Sequence, residues 1–318
     1  MSNCTLCGGD IEELANHDFI DADGVSRKNY SLGICVNCGS GAVMPQPSAE
    51  ELVSSYSKGV YEKSGGKGER IIGGLLDGLH QSRLREINKI TGKPGSLLDI
   101  GCGKGRFLSN AVKIGWDAEG QDYSLAQAAM AETKAGTKVW VGDLDSLPIF
   151  SRNYDVVTMW HVLEHMPNPQ NVVKSIHSML AKDGLLIIEV PNFSSWQAKI
   201  GGRKWFQLDV PRHLWQFTPE GIGQLLQHNG FDVIAVKTWS GELGPFGMLQ
   251  TLLNRLGLPP QWLFRYLKRS VGKQRIGTII GNGLAGTCFI LPAIFLEIVA
   301  SIVGRGGVVR ILAMRSPP

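Results

Sequence analysis

The sequence carries little net charge: 32 lysines and arginines face 28 acids, a formal +4 over 318 residues. That balance excludes a dedicated nucleic-acid binder with a uniformly basic surface. No internal repeat and no low-complexity tail is present, which excludes repeat architectures. The opening MSNCTLCGG lacks a basic stretch followed by an apolar one, so no secretory signal is readable and a cytoplasmic location is expected. Cysteine is scarce. Of six, four sit in two C-x-x-C pairs, and Cys102 and Cys288 stand alone. In a reducing compartment such pairs indicate a metal rather than disulfides. Uncharged apolar runs are also few, and only Ile276 to Leu296 approaches the roughly 20 residues that cross a bilayer. Against these absences, hydrophobic residues make up 43% of the chain, enough for one large packed domain and a small one.

The chain changes texture along its length. Residues 1–45 are short, glycine-dotted and cysteine-paired, and are expected to form a small module. Residues 46–95 read as a helical linker. Ser48 and Glu51 make a capping box, residues 58–80 read as a mobile Gly/Lys-rich connection, and a helix carrying Leu84, Ile87 and Ile90 stops at Gly92. From 96 to 240, strands alternate with helices: SLLDIG, WDAEGQD, KVWVGD, YDVVTMW, LLIIEVP and FDVIAVKTW are strands separated by helical patterns. The alternation predicts an α/β fold with a parallel sheet covered on both faces. An apolar and basic helical insertion spans 241–303, and 304–318 supplies a seventh strand.

LDIGCGKGRF is the most informative string. Asp99, Gly101, Gly103 and Gly105 form D-x-G-x-G-x-G between the first strand of the sheet and its helix. Missing Cβ atoms let a ligand approach the backbone, and the helix N-terminus offers N–H groups to an anion. That anion is pyrophosphate in a dinucleotide and the methionine carboxylate in S-adenosylmethionine, whose ammonium suits Asp99. Asp122, about 20 residues on at the end of the second strand, is placed to accept from ribose hydroxyls. Asp143 ends the third strand, where an acceptor meets an adenine amino group. A second string, GNGLAG at 281–286, lies inside the apolar run without a following acid, and its glycines are expected to permit close helix packing.

LDIGCGKGRF, EGQDYS, VGDLDSLPI, YDVVTMWHVLEHMPNP and GLLIIEVPN resemble the successive motifs of class I S-adenosylmethionine-dependent methyltransferases, over about residues 96–238 and again at 304–318. The resemblance implies a Rossmann-like seven-stranded sheet with its last strand antiparallel. It also implies S-adenosylmethionine as co-substrate, held by Asp99, Gly101, Cys102, Gly103, Gly105, Asp122, Tyr123, Asp143, Leu144 and Trp160. A nicotinamide-binding Rossmann domain is disfavoured by the D-x-G-x-G-x-G form and by VLEHMPNP.

Cys4, Cys7, Cys35 and Cys38 form C-x-x-C…C-x-x-C with Gly8 and Gly39 directly after each pair. Four thiolates close a tetrahedral Zn²⁺ site with no open position, so a structural zinc is expected. Similar cysteine-paired N-termini precede methyltransferase domains in enzymes resembling sugar and polysaccharide-cluster methyltransferases. Ribosomal RNA methyltransferases with an N-terminal zinc use a Cys-Cys-Cys-His spacing that is absent here.

Methyl transfer from a sulfonium needs alignment of the acceptor and, for a hydroxyl or carbon, a base. His161 after the fourth strand is the first candidate, followed by His165 and by His213 in QLDVPRHLWQFT. Asp209, Arg212 and His213 resemble the family's D-x-P-x-H-L loop, which implies acceptor contacts. HVLEH also fits H-x-x-E-H of some zinc proteases, but Pro167 and Pro169 interrupt any long helix there. The expected acceptor is a small molecule, a saccharide or a lipid-linked compound. An RNA acceptor is disfavoured because residues 1–45 carry Asp10, Glu12, Glu13, Asp18, Asp21 and Asp23 against only Arg27 and Lys28. A non-catalytic binding module is disfavoured by the intact glycines and acids. Basic residues 265–275 beside the uncharged run predict peripheral or re-entrant contact of 265–303 with the cytoplasmic membrane face, with Pro292 bending the segment into a hairpin. A buried lid or dimer interface is the competing reading.

Overall fold

The computed structural model describes residues 3–14, 19–27, 30–48, 50–52, 67–144, 152–268 and 276–316. Its strands are β1 (Ile11–Leu14), β2 (Phe19–Ile20), β3 (Ser26–Arg27), β4 (Ser31–Cys35), β5 (Gly41–Met44), β6 (Ser96–Ile100), β7 (Asp117–Asp122), β8 (Val139–Val141), β9 (Tyr154–Trp160), β10 (Leu180–Pro191), β11 (Trp215–Gln216), β12 (Phe231–Lys237) and β13 (Val308–Arg315). Its helices are α1 (Lys67–Thr91), α2 (Arg106–Lys113), α3 (Leu125–Ala135), α4 (Pro169–Met179), α5 (Trp196–Gly201), α6 (Pro219–His228), α7 (Gly244–Arg255), α8 (Trp262–Leu267) and α9 (Ile276–Ile302). The chain divides into two compact units, neither contiguous in sequence. One comprises Met1–Ile71, Pro191–Gly221 and Lys237–Val309, the other Ile72–Val190, Ile222–Val236 and Arg310–Pro318.

The second unit is built on a seven-stranded sheet of order β12-β13-β10-β9-β6-β7-β8. β8, β7, β6, β9 and β10 pair in parallel. β13 runs against β10: Gly307, just before it, accepts from the amide of Asn192, just after β10, and Arg315 at its far end donates to the Leu180 carbonyl. The sheet is therefore the mixed Rossmann-like one that the motif order implies. One face is closed by Leu84 and Ile87 of α1, Phe107, Leu108 and Ala111 of α2, and Ala128 and Ala131 of α3, packed on Leu97, Val156, Leu185, Ile187 and Leu312. Alternation turns Leu98, Ile100, Val157, Met159, Leu186 and Ile188 to the opposite face, where they are also fully buried.

α1 starts at Lys67, so the expected mobile connection over 58–80 is helical from that residue on; 58–66 lie outside the described residues. Cβ atoms at Gly74 and Gly78 would meet nothing, so no close approach requires glycine at either position. Arg106 ties the helix down through the Gly73 carbonyl and the Asp77 carboxylate, both at 3.0 Å. The helix ends at Thr91, with Gly92 at φ +79°, as its sequence predicts. The capping box forms too, with Glu51 accepting from the Ser48 amide at 2.8 Å.

In the first unit, β1, β4, β5 and β11 make an antiparallel sheet. β11 comes from the PRHLWQF loop, so that loop is an edge strand here. Phe19, Leu32, Val43, Trp205, Leu208 and Val210 form the core beside it. α9 is one continuous helix packed on α7 and α8. Pro292 does not fold it into a hairpin, because the proline sits on the exposed side while Ala293, Glu297 and Ala300 continue the buried stripe. The glycines of GNGLAG do not mediate close packing either, since Cβ atoms at Gly281, Gly283 and Gly286 would meet nothing within 4 Å.

Gly105 closes the turn before α2 at φ +70°, and a Cβ there would stand 2.7 Å from the Ala131 Cα. Gly105→Ala is expected to lower stability by about 2–4 kcal/mol through backbone strain and overpacking. Urea titration checks this. An unchanged midpoint would show that α2 and α3 separate without penalty.

Candidate active site

The D-x-G-x-G-x-G string lies between β6 and α2, as expected. Gly101, Gly103 and Gly105 all have positive φ, at +66°, +55° and +70°. They serve differently. A Cβ at Gly101 would stand 2.3 Å from Val162 Cγ2, whereas one at Gly103 would meet only Gln127 Oε1 at 3.4 Å. Gly103 thus presents open backbone, the cradle an approaching ligand needs. The Gly103 amide donates to Asp122 at 2.9 Å, and Ser124 donates to the other Asp122 oxygen at 2.8 Å. Burial raises the Asp122 pKa, and these two amides work against it. Asp99 is 1% exposed and accepts from Thr158 Oγ1 at 2.7 Å. Burial pushes its pKa up to about 7 in spite of that bond.

Sequence reading missed Gln121, which binds two turns at once. Its Oε1 accepts from Gly101 at 3.2 Å and its Nε2 donates to the Gly142 carbonyl at 2.7 Å. Cys102 is partly buried in the turn, and burial raises its thiol pKa. Tyr123 is exposed beside Asp122, Asp143 is exposed beyond β8, and Leu144 is buried.

Trp160 ends β9 and packs on Phe107, their centroids 5.1 Å apart. The Arg83 guanidinium lies 4.3 Å over its ring and that of Arg310 lies 5.4 Å away. The Trp160 indole N–H is buried without an acceptor among the described residues. Both arginines reach Glu189, which is fully buried in β10: Arg83 Nη2 at 2.5 Å and Arg310 Nε at 2.7 Å. Burial alone would raise the Glu189 pKa. The charges of Arg83 and Arg310, then His161, hold it well below the usual carboxylate range.

His161 follows Trp160 at φ +57°, a left-handed conformation that is rare for a non-glycine residue, with its amide bonded to the Glu189 carbonyl at 2.7 Å. Its ring lies between two carboxylates, Nδ1 3.4 Å from Glu164 and Nε2 3.3 Å from Glu189. Burial would depress its pKa, but Glu164 and Glu189 override burial and raise it to about 9. The two carboxylates favour the charged form of His161, which suits a fixed cation. His165 is half-buried at the end of a 3-10 turn, Leu163–His165, that follows.

The first unit holds the other expected groups. His213 is buried, and its Nδ1 lies 2.7 Å from the Gln207 carbonyl. A carbonyl only accepts, so Nδ1 carries the proton. Asp209 and Arg212 are not presented to an acceptor. Arg212, 1% exposed, binds Asp209 at 2.8 Å and Asp23 at 2.7 Å, while Asp209 also accepts from the Ala22 amide at 2.7 Å. A buried guanidinium requires such partners, so the two residues lock the loop to the 21–25 turn.

The Sγ atoms of Cys4, Cys7, Cys35 and Cys38 lie within 4.8 Å of one another, with Cys4–Cys38 at 3.9 Å and Cys7–Cys35 at 3.4 Å. Zn–S bonds of about 2.3 Å in a tetrahedron put sulfurs roughly 3.8 Å apart, so the four could hold one such ion. Gly8 and Gly39 take φ +79° and +69° at the two knuckles. Gly9, unmarked by sequence, donates to Cys7 Sγ at 3.4 Å, and a Cβ on it would stand 2.6 Å from Asn37 Cβ.

The strand order and the glycine turn between β6 and α2 define the fold of class I S-adenosylmethionine-dependent methyltransferases. Residues 76–236, just over half of the chain, match the family model described as a methyltransferase domain, and the chain belongs to that family. A ubiquinone biosynthesis O-methyltransferase of Histophilus somni is 26% identical over 150 residues, covering 42% of this chain and 62% of the relative. One from Marinobacter nauticus is 28% identical over 173 residues, covering 50% and 73%. The chain thus spans less than two thirds of the first relative's length. Among solved structures, a putative sarcosine dimethylglycine methyltransferase from Galdieria sulphuraria has a TM-score of 0.50 at 14% identity, covering 84% of this chain and 98% of that one, a likeness of fold.

His161 has its pKa raised from 6.5 to about 9, so its contribution to stability is complete below about pH 6.5 and is lost as pH rises through 9. Urea stability is expected to fall over that window, and His161→Gln to remove that part of the slope. An identical pH profile in the variant would contradict the clamp.

Proposed function

We propose that the chain transfers a methyl group from S-adenosylmethionine to a small-molecule acceptor, the class extending to saccharides and lipid-linked compounds. The observation that carries this reading is the open Gly103 backbone bonded to Asp122 at 2.9 Å, next to buried Asp99. Asp99 faces the ammonium, Gly101, Cys102, Gly103 and Gly105 accommodate the amino-acid portion, and Asp122 takes the ribose hydroxyls. Tyr123, Asp143 and Leu144 flank the adenine, and Trp160 closes the sulfonium side. Bound there, the co-substrate supplies a methyl group already activated on sulfur, so the protein's task is alignment and exclusion of water.

In this reading His161 is the cation that fixes the end of β9, held by Glu164 and Glu189. His165, in the unit that carries the glycine turn, is the residue assigned to take an acceptor proton, and His213 belongs to the other unit. The names of the O-methyltransferase relatives support an oxygen acceptor. The acidic residues of 1–45 speak against RNA.

We assign a structural Zn²⁺ to Cys4, Cys7, Cys35 and Cys38, whose buried, four-sulfur geometry leaves no position for catalysis. Residues 1–45 are then a zinc ribbon whose sheet β11 completes and 241–303 an insertion, both in the first unit, while the second unit is the cofactor core.

Calorimetry should find S-adenosylhomocysteine bound, with Asp122→Ala weakening it about 10–100-fold, the loss of charge-assisted hydrogen bonds. Binding of a nicotinamide dinucleotide instead would defeat the reading. Elemental analysis should find one zinc per chain, and Cys35→Ser should lose it together with ordered structure in 3–44. Zinc-free folded protein would remove the metal assignment.

A further inference from the structure

α9 has two apolar faces and only one of them is covered. Asn282, Ala285, Phe289, Ala293, Leu296 and Ala300, at helical spacing, face α7 and α8. The opposite stripe is Leu284, Cys288, Leu291, Phe295, Ile298 and Ile302, spaced by four and three, and all six are exposed, Leu291 by 73% and Ile302 by 79%. The most apolar 18 residues of Gly281–Ile302 have a mean hydropathy of 2.0, yet only 17% of them are buried. A core helix would be buried on both sides. An uncovered stripe of this length marks a surface that meets another apolar phase.

Charge indicates which phase. Residues 241–303 hold six basic side chains, Arg255, Arg265, Lys268, Arg269, Lys273 and Arg275, against Glu242 and Glu297. That net +4 equals the formal charge of the whole chain, so the remainder is balanced. Glu297 is buried, which leaves the basic side chains to dominate. Lys268 is exposed, and exposed Tyr266 and Leu267 end α8 next to it, Tyr266 stacked on Trp262 at 4.9 Å. Apolar, aromatic and basic groups at and just beyond the end of α8 fit a bilayer interface with anionic lipid. A second copy of the same basic segment would meet it with like charge.

Glu297 also decides between lying on and spanning the bilayer. Its carboxylate accepts from Gln197 Nε2 at 2.7 Å and from the Gly307 amide at 2.8 Å. A spanning α9 would break both bonds and carry that carboxylate into hydrocarbon. We infer that the Leu284–Ile302 face of α9, with the basic segment before it, seats the chain on an anionic lipid surface, the helix lying in the headgroup plane. The inference is independent of the methyl acceptor.

Zinc-replete full-length protein is sedimented with vesicles of phosphatidylcholine alone and with roughly one third phosphatidylglycerol. Binding is expected to the anionic vesicles, to weaken with salt, and to fall on the order of tenfold in Leu291→Asp/Phe295→Asp and in Lys268→Glu. An environment-sensitive fluorophore on Cys288, controlled by Cys288→Ser, should shift to the blue with the same vesicles, and this tests the face without any change to its packing. No binding to either vesicle, equal binding to both, an unshifted fluorophore, or a dimer that the double variant dissociates would each overturn the inference.

Discussion

Three acids at the carboxyl end of this sheet are out of water, and each must be matched in place. Asp99, Asp122 and Glu189 are buried near the ends of β6, β7 and β10. A buried charge left alone destabilises a fold by about 3–5 kcal/mol. The three are answered differently. Asp99 has one hydroxyl and a pKa near 7. Asp122 has two backbone amides. Glu189 has two guanidiniums and an imidazolium. Glu189 is thus a finished structural centre, while Asp99 and Asp122 keep capacity for a cation and for hydroxyls. That gradient separates framework from binding surface within one unit.

The same rule governs the first unit. Arg212 is matched by Asp209 and Asp23, and Glu297 by Gln197 and Gly307. In both cases the polar group is consumed internally, so the residue fixes a loop or a helix. Thr218 extends this to the cysteine knuckle, donating to the Cys38 carbonyl at 2.7 Å and sharing 3.0 Å with Ser40. The knuckle's geometry is therefore set by residues some 180 positions away in sequence.

Local chemistry was readable and long-range matching was not. The glycine turn, the C-x-x-C pairs and the strand–helix alternation are all written within a few residues, so periodicity and spacing recover them. The Arg83–Glu189–Arg310 cluster joins residues 106 and 121 positions apart. Its signal was a lone acid in LLIIEVP and Arg310, the inner of two bases in GVVRILAMR, each an odd charge within a buried strand. His161 reads as a base from its position alone, and its carboxylate neighbour Glu189 is what that position does not disclose. Asp209 and Arg212 look like substrate contacts until Asp23 is seen beside them. The helical start at Lys67 and the unbroken α9 escaped because exposed glycine and proline break a helix less than their propensities suggest, once one face is packed.

Strand-end carboxylates and the open glycine turn are proposed to hold one sulfonium-bearing nucleoside. Titration of ¹⁵N-labelled protein with S-adenosylhomocysteine tests this most directly. The amide signals of Gly101, Gly103 and Asp122 and the indole signal of Trp160 should shift together and saturate at one equivalent. Saturating ligand that leaves those four unmoved, or that moves only residues outside the β6 and β7 ends, would contradict it.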